Sequence, residues 1–138
     1  MKDNVQKICL EIGSFGSYFL CLLRLAEIKT GKEIDIWKAY DEFKSKGVLR
    51  EKAFVRDAKT LLEELTGSFV SFWIQKGDYK PEIGEWVIKQ HTLKLNNGFI
   101  NHFTLSDEEN NIIFNPAFNN PAFTVGKITE SRVFEFGK

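Results

Sequence analysis

The chain has 138 residues, 43% of them hydrophobic, which is enough for one compact core and too apolar for a disordered segment. Lys plus Arg and Asp plus Glu stand at 19 each, so the net charge is zero and nothing electrostatic favours nucleic acid or an acidic membrane surface as a partner. Cys9 and Cys21 are the only cysteines, which excludes a disulfide framework; neither has metal-ligand spacing, and no metal or cofactor is expected.

Residues 1–7 are polar and charged, without the apolar stretch of a signal peptide. The most apolar run, residues 18–28, is interrupted by Arg24 and Glu27 and is too short to cross a bilayer. The expectation is a cytoplasmic chain with no membrane partner. Cys9 lies in an apolar patch and is expected in the core or on a strand. Tyr18, Phe19, Leu20, Leu22, Leu23, Leu25, Ala26 and Ile28 then cover nearly every face of one helix, the pattern of a helix buried on more than one side. Lys29-Thr30-Gly31 ends it. A second helix is predicted over Asp35 to Lys46, capped by Asp35 and closed by Gly47, with Ile36, Trp37, Tyr40 and Phe43 at helical spacing. The basic stretch from Lys44 to Lys59 reads as a solvated helical face. Arg56 to Leu65 is predicted as a third helix, with Ala58, Leu61, Leu62 and Leu65 on one stripe.

From Ser68 the pattern changes. Phe69 to Ile74 is rich in β-formers, and Glu85 to Leu95 alternates loosely. Asn96-Asn97-Gly98 is a hairpin signal into Phe99 to Leu105. Asp107 to Asn111 makes a second turn into Ile112-Ile113-Phe114, and Val133, Phe134 and Phe136 suggest a last strand. Helices first and a meander afterwards predict an α+β fold, a single domain over 1–138 with its N-terminal helices packed on an antiparallel sheet.

Three sites in this frame carry chemistry. Ser17 stands where the long apolar helix begins, His102 lies on an aromatic strand, and Asn115 precedes Pro116 thirteen residues later. A helix N-terminus concentrates unpaired N–H groups and positive dipole, which favours an anionic nucleophile. A histidine from another element can serve it as a base, and a third polar group can fix the histidine tautomer. Each residue also has an ordinary reading. Ser17 can be a helix N-cap, His102 a packed strand histidine, Asn115-Pro116 a turn, and Glu11 a solvated carboxylate. Cys21, one turn after Ser17, lacks the N-terminal field and reads as a buried structural thiol. His91 is a weaker substitute for His102, and Asp107 a second choice to Asn115.

The order and spacing of Gly16-Ser17-Tyr18-Phe19-Leu20, His102-Phe103-Thr104-Leu105-Ser106-Asp107 and Asn115-Pro116 resemble small papain-like cysteine peptidases, such as the bacteriocin-processing type. The stretch from Gly16 to Glu27 is similar to that of a small phage and spirochaete-plasmid family, whose helix carries Gly-Cys-Tyr-Phe-Leu and closes on an acidic residue. The resemblance covers roughly residues 6–118 and implies a papain-like fold. It places Ser17 where the catalytic cysteine belongs, and Glu11, six residues earlier, where a glutamine helps hold the oxyanion. A serine hydroxyl is not ionised by a helix field, and a carboxylate opposes developing negative charge; losing one neutral donor there costs about 3–4 kcal/mol. The resemblance therefore implies a degenerate peptidase homologue that binds a peptide or a peptidoglycan-like amide in the retained cleft. One alternative is an active hydrolase using Ser17, or a cysteine that an engineered Ser17 replaces, with His102 and Asn115. Another is a phage- or plasmid-encoded interaction protein with no ligand in the cleft. No oligomeric state is read from the sequence.

Overall fold

A computed structural model describes residue 1, residues 5–12 and residues 15–137, with the side chains of residues 11 and 12 left out. Helices α1 (Val5–Ile12), α2 (Gly16–Thr30), α3 (Ile36–Ser45) and α4 (Ala58–Thr66) precede strands β1 (Val70–Lys76), β2 (Glu85–Leu95), β3 (Gly98–Ser106) and β4 (Ile112–Phe114). A short helix α5 (Pro121–Val125) and strand β5 (Lys127–Phe136) complete the order. The fold is α+β, with helices packed on a five-stranded antiparallel sheet. No helix among the described residues is long and apolar enough to cross a membrane.

The helices follow their local signals. Nearly the whole of α2 is buried, and Gly31 closes it in the left-handed conformation that glycine adopts without strain, its N–H meeting Glu27 O at 2.8 Å. Asp35 caps α3 by accepting from Lys38 N–H at 3.1 Å. Asp57 caps α4 in the same way, accepting from Thr60 N–H at 3.0 Å, so this helix starts at Ala58 and not at Arg56. The basic stretch is not one helical face. It runs from the end of α3 through a turn and a single 3₁₀ turn, Glu51–Ala53, into α4. Cys9 lies half-buried on α1, not on a strand.

The sheet order is β1-β5-β2-β3-β4, so the strands do not form a simple meander. The last strand returns to lie between β1 and β2. Its burial fits that place: Val133 and Phe134 are adjacent, point to opposite faces, and are both fully buried. Only an interior strand covered on both sides satisfies such a pair. Val87-Ile88 on β2 repeats the pattern.

The two faces of the sheet differ. Ile88, Phe103, Leu105 and Phe134 pack into the main core with α2 and α4. The opposite face is buried but polar, with Lys89, His91, His102, Thr104, Ser106 and Ser131. Loop and turn groups satisfy several of these. Lys89 Nζ meets Asp78 and Asn110 side chains, and Ser131 Oγ accepts from Tyr79 N–H at 2.9 Å and donates to Gly77 O at 2.7 Å. Helix α5 lies over His91, with the Phe123 ring centroid 5.2 Å from the imidazole.

Candidate functional site

Strand β4 is short and pairs with β3 only at Leu105 and Ser106. That leaves the same edge of β3 open at Phe103, where α2 closes it. Phe103 N–H donates to Ser17 Oγ at 3.1 Å, and Phe103 C=O faces Cys21 Sγ at 3.5 Å. Residues 17 and 21 are one helical turn apart on one face, so two side chains of α2 take the place of a neighbouring strand. The N-cap residue of α2 is Phe15 and Ser17 lies within the first turn, so the N-cap reading of Ser17 does not hold. Its hydroxyl is committed to the strand edge.

His102 is 1% exposed and faces the polar side of the sheet. Its Nε2 lies 2.7 Å from Asn115 Oδ1, just beyond the end of β4. Ala117 N–H meets the same Oδ1 at 3.1 Å. A backbone N–H can only donate, so the amide atom between these groups is the oxygen. That oxygen cannot donate to the ring, so Nε2 carries the proton. Burial pushes the His102 pKa down, against the opposing pull of the Asn115 bond. A neutral ring protonated on Nε2 keeps its lone pair on Nδ1, the tautomer of a general base.

Ser17 and His102 line one cleft of about 550 Å³, walled by Leu10, Phe15 and Phe99 and by Asn101 on β3. No hydrogen bond joins Ser17 to His102 among the described residues. Asn115 faces a neighbouring groove of about 710 Å³, lined by Ile112, Ile113, Phe118 and other groups, none of them titratable. The larger space thus holds no acid–base chemistry, and the chemistry sits in the smaller one. The Glu11 side chain falls outside the described residues, and its assignment to the oxyanion position with it.

The other candidates lie elsewhere. His91 pairs directly across from His102 but bonds through Nε2 to Thr104 Oγ1 at 2.8 Å. Burial, with the neighbouring His102, pushes it down to about 4. It is enclosed beneath Phe123 and does not line the cleft with Ser17. Asp107 is occupied by its own turn, accepting from Glu109 and Asn111 N–H at 3.0 Å each. The Cys21 thiol is fully buried, and desolvation holds its pKa well above the ordinary value; desolvation raises Cys9 to about 11. No group of three or more His, Cys, Asp or Glu among the described residues is placed to hold a metal ion.

Sequence reading missed the groups that hold the site. The N–H of Ala117 and both backbone groups of Phe103 have no side-chain signature, so no residue pattern marks them. Asn101, next to His102, was hidden by its ordinary place on a strand.

Fold and site together define an α+β protein with a histidine–asparagine pair beside the first turn of a buried helix. The family model described as "Protein of unknown function, DUF261" matches residues 1–136, and the chain belongs to that family. No curated protein and no solved structure gave a match.

Proposed function

We propose that the chain is a degenerate papain-like cysteine peptidase homologue that binds a peptide or other amide ligand in the cleft between Ser17 and His102. The carrying observation is the 2.7 Å His102–Asn115 bond with its oxygen locked by Ala117 N–H, in a ring that shares a cleft with the first turn of α2. The position of Ser17 supports the non-catalytic side of this reading. Its hydroxyl accepts from Phe103 N–H and is not bonded to His102, so the base does not activate it. A serine needs that contact, whereas a thiol, with its lower pKa, can be held as a thiolate by the helix-start N–H field together with a histidine nearby.

The Nδ1 lone pair on His102 favours a second reading, an active hydrolase in which the Ser17 hydroxyl swings to the ring. One experiment separates the two. The unaltered chain should show no amidase activity above background. Ser17→Cys with Glu11→Gln should create a thiol that reacts with an epoxide cysteine-peptidase probe, and the reaction should fall when His102→Ala is added. An unreactive thiol in the folded double variant refutes the papain-like site. Ser17-dependent hydrolysis by the unaltered chain refutes the degenerate reading in favour of the second.

A further inference from the structure

On the helix side of the sheet, a chain of polar groups runs from β5 to the cleft wall. Arg132 lies over the Tyr18 and Phe103 rings, its guanidinium carbon 4.4 Å and 4.9 Å from their centroids. Its Nη2 donates to Glu130 Oε1 at 3.3 Å and, at 3.4 Å, to the side-chain oxygen of Gln90. Gln90 Nε2 in turn reaches Asn101 Oδ1 at 3.1 Å, and Thr92 Oγ1 meets the same oxygen at 2.8 Å.

The direction of this chain is fixed by its first member. A guanidinium has no acceptor, so the Gln90 atom facing it is the oxygen. The Gln90 amide nitrogen therefore points at Asn101 and needs an acceptor there. Asn101 turns its oxygen to Gln90 and Thr92, which leaves both hydrogens of Nδ2 without a partner among the described residues. Asn101 lines the cleft that holds Ser17 and His102. It is two residues along β3 from Phe103, whose N–H holds Ser17, a spacing of about 7 Å on the same face of the strand.

We propose that Asn101 is the oriented hydrogen-bond donor of the cleft and takes the carbonyl oxygen of the amide ligand, with Arg132 and Gln90 as the positioning residues that hold its amide. The choice of a neutral acceptor follows from the wall. None of the cleft-lining residues described is charged, so nothing there favours a carboxylate or phosphate. The apolar side chains of Leu10, Phe15 and Phe99 line the same cleft and suit the hydrocarbon part of such a ligand. This assignment rests on the amide-binding reading of the cleft and adds to it a residue and a direction for the bond.

The test uses Ser17→Cys as a reporter and two small alkylating probes. Iodoacetamide carries a carbonyl oxygen, and propargyl bromide does not. The ratio of their rate constants cancels changes in thiol ionisation and reads the carbonyl contact alone. Asn101→Leu should lower this ratio by about three- to tenfold, the worth of one hydrogen bond. Gln90→Glu should lower it as well, because a carboxylate beside Asn101 accepts from Nδ2 and turns the amide oxygen toward the cleft. A ratio unchanged in either variant overturns the inference. A thiol that neither probe reaches also overturns it, since residues 17 and 101 would then share no open cleft. A thiol that both probes reach but that ignores His102→Ala refutes the peptidase-like reading alone, and the ratio still decides Asn101.

Discussion

Asn115 determines what His102 can do. Two donors converge on one amide oxygen, and that convergence selects the ring tautomer. The amide is neutral, so its upward pull on the ring pKa is outweighed by burial, and the buried ring stays neutral. Asn115→Asp keeps an acceptor for both donors but places a negative charge beside the ring. His102 should then titrate at higher pH than in the unaltered chain, because the carboxylate favours the charged ring. The ring Cε1–H shift followed by NMR across the titration checks this; an unchanged midpoint would mean that the 2.7 Å bond is not kept in solution. The residue-scale chemistry was partly legible in the sequence. His102, Asn115 and Ser17 were named from order and spacing, and the structure brings the first two into contact. Ser17 was named for standing where the helix begins, and it lies in the first turn of α2; only its ordinary reading as an N-cap fails, because an N-cap and a first-turn residue one or two positions away look alike in a sequence.

At the scale of elements, sequence reading left out α1 and α5, and the second of these covers His91. Five residues carry too little periodicity to announce a helix. Its contact with the sheet is nonetheless tight. A Cβ at Gly126, which closes α5, would lie 2.3 Å from Ala122 O and 2.6 Å from Thr92 O, both backbone atoms that cannot swing aside. Gly126→Ala should therefore force α5 off β2 and cost about 1–3 kcal/mol, in the range of overpacked sites. A urea midpoint reads the loss. An unchanged midpoint would mean that α5 is not seated on β2. The longer elements were legible because caps and glycine stops are local. The bounds of β2, Glu85–Leu95, agree with the expected stretch, and the Asn96-Asn97-Gly98 turn fixes its partner.

For the whole molecule, the buried polar face sets the response to acid. His91 stays neutral in the fold down to about 4, whereas an unfolded histidine protonates near 6.5. Between these values the unfolded chain binds the extra proton, so stability rises with pH and falls as the pH drops through this window. Each pH unit is worth about 1.4 kcal/mol for one group. Moving from pH 7 to pH 5 should cost about 2 kcal/mol through His91, with a further loss in the same direction from His102. Urea unfolding at the two values measures it, and His91→Gln, which keeps a partner for Thr104, should flatten the dependence. A profile equally steep in that variant would assign the loss to other groups.

The sequence by itself determined the elements that rest on neighbours within a few residues: the buried helix, its glycine stop, the aspartate caps and the hairpin. It also determined the class, because helical periodicity in the first half and strand patterns in the second leave few ways to build a core. Only the tertiary structure decided where β5 inserts, since two-sided burial of Val133 and Phe134 depends on what covers each face. Only the tertiary structure showed that Ser17 and Cys21 complete the edge of β3, and that Arg132 sets the direction of Asn101. These are contacts between residues tens of positions apart, made through backbone groups and amide orientations that every sequence carries and none displays.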